Sequence, residues 1–150
     1  MLKLIKTLAL LFLFLPFASC SNADICSSNN NFRIDFYSGG GFTGVESGIT
    51  ISCEGWAKFW KRKPNSIRET TDSLSVSKDS MKKISELMTN PELFTYSNKY
   101  SGNYTTHLVV MKDIQINSIS FNQSDTPANL PESVKDLISE IKNIKSDKNN

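Results

Sequence analysis

A run of glycines is the part of this sequence whose residue types and spacing most resemble a chemical motif. Gly39-Gly40-Gly41-Phe42-Thr43-Gly44 matches the G-x-G-x-x-G pattern that cradles a dinucleotide pyrophosphate. That use requires a helix directly after the loop, whereas the β-branched run Ile49-Thr50-Ile51 favours a strand. A kinase glycine loop does join two strands, but the sequence has neither His-Arg-Asp nor Asp-Phe-Gly. We therefore expect no nucleotide partner, and interpret the glycines as residues that permit positive φ in a tight loop.

The single histidine, His107, is the other residue with obvious catalytic potential. It lies in a predicted strand, opposite in phase to its apolar neighbours, and no nucleophile motif accompanies it. Gly44–Gly48 reads Gly-Val-Glu-Ser-Gly and is not the Gly-x-Ser-x-Gly elbow. With one His and no Cys-x-x-Cys, the sequence also lacks the usual ligands of structural zinc. It predicts a non-catalytic protein with no metal and no other cofactor.

An aromatic-rich stretch at residues 56–61 precedes a basic loop at residues 61–63. Trp56, Lys58 and Trp60 alternate, so they share one face of a predicted strand. Tryptophan and arginine dominate interface hot spots, which makes Trp56 and Trp60 candidate partner-binding residues. The alternative is a core strand beside a solvated loop.

The N-terminus has the features of an export signal. Residues 1–6 carry Lys3 and Lys6, and residues 8–17 form an apolar run. A helix of that length rises only about 15 Å, half the ~30 Å hydrocarbon core of a bilayer, so it does not predict a permanent membrane span. Without the two lysines, residues 20–150 carry 15 basic and 15 acidic groups. This zero balance argues against nucleic acid as a partner.

The end of that signal, Phe17-Ala18-Ser19-Cys20, resembles the bacterial lipobox, in which small residues precede an invariant cysteine. The resemblance implies that residues 1–19 are removed and that Cys20 is acylated on sulfur and on its new amino group. Two or three acyl chains hold a protein stably on a membrane, whereas one does so only marginally. We expect a lipid-anchored protein on the extracytoplasmic side of the cell envelope. The alternative is an ordinary residue near a plain signal-peptide cut.

The two remaining cysteines, Cys26 and Cys53, form an even pair in an oxidising compartment. We expect a disulfide between them, although two free thiols are the alternative. A disulfide between them would close the loop from Cys26 to Cys53, and the chain-entropy formula gives this closure about 3.5 kcal/mol of stabilisation. Residues 20–31 are polar and small and are predicted to form a lipidated tether.

The rest of the chain predicts one α+β domain over residues 32–145, followed by a disordered tail at 146–150. We expect an antiparallel sheet of about four to five strands with two amphipathic helices on one face. The first helix begins at the N-cap Ser77 and stops before Pro91; the second begins near Pro131. Predicted strands begin at Phe32, Ile49, Trp56, Tyr104 and Ile116, with a further short strand possible within 67–75. Ile116 is out of phase with later apolar residues, which predicts a bulge or a register shift there.

The run from Phe32 to Gly44, Phe-Arg-Ile-Asp-Phe-Tyr-Ser-Gly-Gly-Gly-Phe-Thr-Gly, resembles the opening strand and glycine loop of emfourin-like proteins. The order of later elements, through Pro127 and Pro131 into a last amphipathic helix, is similar to theirs as well. The resemblance implies a small α+β fold and, in its sharpest version, inhibition of a thermolysin-like metallopeptidase. The expected function is thus a protein-binding module, with an envelope-structural or small-ligand-binding lipoprotein as the alternative. In the first case Phe42 is presented at the loop tip; in the second it fills the domain's own core.

The lipobox resemblance predicts that Cys20 carries the lipid. Replacing Cys20 with Ser removes the acylated sulfur, so palmitate labelling of the protein in bacteria should be abolished and the protein released or misprocessed. Labelling that persists unchanged in Cys20→Ser would contradict the assignment.

Overall fold

The computed structural model describes Cys26, residues 30–123 and residues 129–147. The predicted export signal, Cys20 and most of the tether lie outside these residues. The described chain forms six strands: β1 Phe32–Gly40, β2 Val45–Ser52, β3 Trp56–Arg62, β4 Glu69–Ser75, β5 Tyr104–Lys112 and β6 Gln115–Asn122. Its helices are α1 Lys78–Leu87, α2 Glu92–Thr95 and α3 Glu132–Asp147. The predicted α+β class is confirmed.

All six strands form one antiparallel sheet in the order β4-β3-β2-β1-β5-β6. The prediction of four to five strands was therefore too low. The strand that the sequence left open is β4, Glu-Thr-Thr-Asp-Ser-Leu-Ser. It lies at the sheet edge and is exposed at all but one position. An edge strand with so little burial lacks the apolar alternation by which strands are recognised. The other edge, β6, is flanked by residues 98–100, whose backbone bonds to Ser120.

The first two strands extend further than the glycines suggested. Gly39 and Gly40 were predicted to belong to a loop, but both pair with β2 and β5 and are part of β1. β2 likewise starts at Val45, before the predicted Ile49. A side chain at Gly39 would collide with Glu46, so glycine is required here by a neighbouring strand and not by a turn.

Alternation along the strands divides the sheet into two faces. Phe32, Ile34 and Phe36 of β1 point into the core, together with alternate residues of the neighbouring strands. All three helices contribute to that same core, so they cover one face, as predicted. The stripe expected along α3 is buried throughout: Val134, Leu137, Ile138, Ile141 and Ile144.

The helix boundaries follow local capping chemistry. Ser77 accepts a hydrogen bond from the Ser80 backbone N–H at 3.1 Å, which confirms it as the N-cap of α1. The short helix α2 was missed, because Glu92–Thr95 is too short to show a period. Asn117 of β6 donates to the carbonyl oxygens of Leu93 and Tyr96, both at 2.8 Å, and thereby fixes α2 against the sheet. The predicted tail was also wrong at its start, since α3 continues to Asp147.

The predicted bulge at Ile116 is wrong. β5 and β6 pair in unbroken register, and Ile116 is out of phase because it lies on the face away from the helices, 69% exposed. The register shift of this sheet lies instead between Phe59 and Trp60 of β3, opposite β4.

The predicted disulfide joins Cys26 to Cys53, with Cα atoms 5.0 Å apart. It fastens the chain ahead of β1 to the β2–β3 turn. The backbone N–H of Asp113, in the β5–β6 turn, donates to the Asn31 carbonyl at 3.0 Å. We call this end of the sheet the cysteine end. The opposite end, with the β1–β2 turn at 41–44 and the β3–β4 loop at 63–68, is the glycine end.

A buried carboxylate links α1 to α3 beneath the sheet. Glu140 is 5% exposed and pairs with Lys83, Nζ to Oε2, at 3.0 Å. Burial alone would raise the pKa of Glu140, but hydrogen bonds from Ser80 and Lys83 hold that pKa below its ordinary value. The charged form is therefore favoured by folding.

Glu140→Gln should lower the free energy of unfolding by about 1–3 kcal/mol at pH 7, because a charge-assisted hydrogen-bond acceptor is lost. A carboxylate with a lowered folded pKa stabilises above its unfolded pKa, and this stabilisation is lost as pH falls through the folded pKa. In urea unfolding, the difference in free energy of unfolding between the parent and Glu140→Gln should therefore be smaller at pH 3 than at pH 7. Glu132→Gln is the control on the same helix, since Glu132 is 78% exposed. If Glu140→Gln and Glu132→Gln lose the same free energy of unfolding, the buried carboxylate does not have the stabilising role assigned to it.

Candidate functional site

The face of the sheet away from the helices, here called the open face, carries polar and aromatic side chains. Arg33, Asp35 and Tyr37 alternate with the core residues of β1 and point to this face. The strand register places Thr50 beside Asp35, and both Gly48 and His107 beside Tyr37. The face therefore has a charged region around Asp35 and an aromatic region around Tyr37.

Asp35 is the acceptor on which the charged region is built. It is 4% exposed and takes hydrogen bonds from Arg33 at 3.1–3.3 Å, Arg68 at 3.0 Å and Thr50 at 2.5 Å. A buried carboxylate is tolerated only when it is paired and its lone pairs are occupied, as they are here. So saturated an acceptor fixes its donors in place and offers no free lone pair for proton transfer.

Arg68 reaches this carboxylate from the β3–β4 loop and covers the aromatic residues on its way. Its guanidinium lies 4.0 Å from the ring centroid of Trp60 and 5.6 Å from that of Tyr37. The Trp60 Nε1 donates to the Thr50 hydroxyl at 3.1 Å, so its polar atom is satisfied as well. Trp60 is therefore 3% exposed although it lies outside the hydrophobic core.

His107 stacks on Tyr37 with ring centroids 4.8 Å apart. Burial lowers the pKa of His107, and the nearby Glu46 opposes this only in part. Burial, with Glu46 next in importance, raises the pKa of Tyr37. Both rings are accordingly neutral at pH 7, and the positive charge of the open face comes from its arginines and lysines.

A cavity of about 400 Å³ opens on this face toward the cysteine end. Its walls include Arg33 and Arg68, whose guanidinium groups are held by Asp35, together with Lys58 and both tryptophans. The residues that line it include Arg33, Glu54, Trp56, Lys58, Trp60 and Arg68. Such walls suit a ligand with an acidic group next to an apolar part.

The glycine end presents a different surface. The turn at 41–44 closes with a 3.3 Å hydrogen bond from the Gly44 N–H to the Gly41 carbonyl, which leaves Phe42 and Thr43 at its tip. Phe42 is fully exposed. The ring of Tyr104 flanks Gly41 and the ring of Pro64 flanks Gly44. Further apolar side chains at this end are exposed to differing degrees: Val45 37%, Tyr104 51% and Ile67 83%.

The predicted binding residues thus fall in two separate places. Gly41, Phe42, Thr43 and Gly44 form the turn at the glycine end, with Gly39 and Gly40 in the strand behind it. Trp56 and Trp60 line the cavity on the open face. Trp56 is 47% exposed and accessible to a ligand, whereas Trp60 lies beneath Arg68.

Sequence analysis missed the cluster around Asp35. In the sequence, Arg33, Asp35 and Tyr37 alternate with apolar residues, which is the pattern of a half-buried strand. Nothing in the spacing indicated that Arg68, 33 positions after Asp35, would cross the open face to meet it. That contact depends on the course of the β3–β4 loop.

No group of three or more His, Cys, Asp or Glu side chains within the described ranges could hold a metal ion. None of the helices described here is long and apolar enough to cross a bilayer. Compared with protein-family models and with curated proteins, the chain matches none.

Arg68 should shield Trp60 from water. In a Trp56→Phe background, Arg68→Ala should shift the emission of Trp60 to longer wavelength, because the ring loses its cover. Arg33→Ala is the matched control, since it removes an Asp35 partner without uncovering Trp60. Each variant should lose about 1 kcal/mol in urea unfolding, because Asp35 keeps its other partners. An unchanged spectrum for Arg68→Ala would show that the guanidinium does not cover the ring.

Proposed function

We propose that this chain is an exported, lipid-anchored, non-catalytic module that binds a protein partner through its glycine end. The observation that carries the proposal is the full exposure of Phe42 at the tip of a short turn. Had Phe42 packed into the domain, the turn would have been a structural plug. An exposed phenylalanine at the same end of the sheet as the exposed Val45, Ile67 and Tyr104 is instead the kind of apolar anchor that interfaces bury.

The turn is built to keep its shape. Gly41 and Gly44 have φ of 66° and 59°, values that residues with a side chain rarely adopt. The Gly41 N–H also donates to the Asn103 carbonyl, which ties the turn to the start of β5. A loop that is ordered before binding loses less conformational entropy on association. Phe42 is thus displayed by a rigid support.

The position of the turn fits a tethered protein. β1 runs from the cysteine end to the glycine end, about 27 Å at ~3.4 Å per residue. If Cys20 carries lipid, the chain enters the domain at Cys26 and Phe42 lies at the far end of the sheet. The apolar tip would then face away from the membrane and toward proteins in the surrounding compartment.

Inhibition of a metallopeptidase is the sharpest form of this proposal. It is supported by the resemblance of Phe32–Gly44 to emfourin-like proteins and by the shape of the turn. A turn with glycine at both ends has few side chains to hinder close approach to a partner's backbone. Phe42 could then occupy an apolar pocket of the peptidase.

A small-ligand-binding lipoprotein is the second candidate. The cavity beside Arg33, Lys58 and Trp56 favours it, because it combines basic groups with an accessible aromatic ring. This cavity lies toward the cysteine end of the open face. The two candidates therefore use different residues and can be separated by mutation.

Phe42→Ala in a soluble 21–150 chain tests the lead proposal. That chain retains the disulfide and every core residue, which lie between Phe32 and Ile144. Losing a buried phenylalanine anchor should weaken partner binding by about 2 kcal/mol or more, roughly thirtyfold. The melting temperature should stay unchanged, because Phe42 makes no core contact. Binding is measured against thermolysin-like peptidases and against envelope extract.

The matched control is Ile114→Ala. Ile114 is 97% exposed in the β5–β6 turn at the cysteine end, so it tests loss of an equally exposed apolar residue elsewhere. Its binding should equal that of the parent. A parent domain that binds no protein, or a Phe42→Ala variant that binds as well as the parent, would refute the proposal.

A further inference from the structure

One row of side chains crosses the open face at its cysteine end. Strand register places Trp56 of β3 beside Ser52, Ser52 beside Arg33, Arg33 beside Met111, and Met111 beside Ile116. Residues directly opposite in an antiparallel sheet point to the same side. Trp56 and Ile116, at the two ends of the row, are 47% and 69% exposed. We call these five residues the cysteine-end row.

Basic groups accompany this row. Arg33 belongs to it, and Lys58 follows Trp56 on the same face of β3. Lys58 is exposed and has no ion pair with any residue that the structure describes. Arg68 completes the basic wall of the cavity beside the row. These three cations face two carboxylates, Glu54 and the already paired Asp35, so the balance is positive.

Protein surfaces that bind anionic bilayers combine exposed tryptophan and aliphatic side chains with cationic side chains between them. Tryptophan prefers the headgroup region, where its ring meets apolar matter and its N–H meets water. Each Lys or Arg close to an anionic membrane adds about fivefold to binding. The cysteine-end row and Lys58 supply both components.

The row also lies where a lipid anchor would bring it. Cys26 is among the residues lining the cavity, and it is bonded to Cys53 directly after β2. Six peptide steps separate Cys20 from Cys26, which span at most about 20 Å. An acylated Cys20 would therefore hold the cavity within reach of the headgroup layer.

We propose that the cysteine-end row, with Lys58 and the adjoining basic cavity, seats the domain on an anionic lipid surface through phosphate headgroups. The idea rests on the proposed lipid anchor but not on any protein partner. Headgroup phosphate would meet Arg33, Lys58 and Arg68, while Trp56 and Ile116 enter the interface. The domain would then be held at a fixed orientation and not only by its tether.

Vesicle binding by the unlipidated 21–150 chain tests this proposal without the anchor. It should co-sediment with vesicles of phosphatidylglycerol and phosphatidylcholine, more strongly than with phosphatidylcholine alone. The emission of Trp56 should shift to shorter wavelength on binding. Lys58→Gln should weaken binding about fivefold, and Trp56→Ala by at least as much.

Two controls make the result specific. Lys82→Gln removes an exposed lysine from α1, on the other side of the sheet, and should bind vesicles like the parent. Phe42→Ala removes an exposed aromatic residue from the glycine end and should also bind like the parent. Because Phe42 carries the proposed protein-binding function, failure of one proposal leaves the other measurable.

Three outcomes would overturn the inference. The first is a parent domain that shows no preference for anionic vesicles. The second is a Lys82→Gln variant that loses as much binding as Lys58→Gln, which would indicate a diffuse charge effect. The third is inorganic phosphate alone reproducing the Trp56 shift and abolishing vesicle binding at constant ionic strength, which would assign the cavity to a soluble anion.

Discussion

The alternation of side chains along β1 is the constraint on which both faces of this protein depend. β1 is paired on both sides, with β2 and β5, so its register is fixed twice. A slip of one residue would turn Ile34 outward and bring Asp35 into the helix-covered core. The core and the charged region of the open face therefore depend on the same register of β1.

No helix among the described residues covers the open face, because Asp35 and its donors make that face polar. A sheet face can be covered by apolar packing or exposed to solvent. Arg33, Arg68 and Thr50 make this face polar, so it stays exposed to solvent, and they keep Asp35 buried beneath them. The network also brings the β3–β4 loop across the strands, because Arg68 is the only link from that loop to Asp35 among the hydrogen bonds of the described residues. Loop position and surface charge are thus set together.

Sequence patterns predicted those parts that depend on local periodicity or capping. The stripe on α3, the Ser77 cap and the Cys26–Cys53 pair are of this kind, since each follows from residue type and spacing. The patterns failed where a neighbour in space decides. Gly39 looked like a loop residue because its reason for being glycine, Glu46 on the next strand, is not visible in the sequence around it. The contact of Arg68 with Asp35 was missed, and Ile116 was wrongly taken to mark a bulge, because in both cases the deciding neighbours lie on other parts of the fold.

If the proposed lipid anchor gathers many copies of this protein on one membrane, the edges of the sheet have a consequence for how those copies meet. Confinement to two dimensions would raise the local concentration of neighbouring domains, and exposed strand edges can then join into continuous sheets. Here the β6 edge is occupied by residues 98–100, and the β4 edge carries Glu69 and Asp72, whose like charges oppose an approaching copy. The polar character that made β4 hard to recognise as a strand would thus keep crowded domains from polymerising.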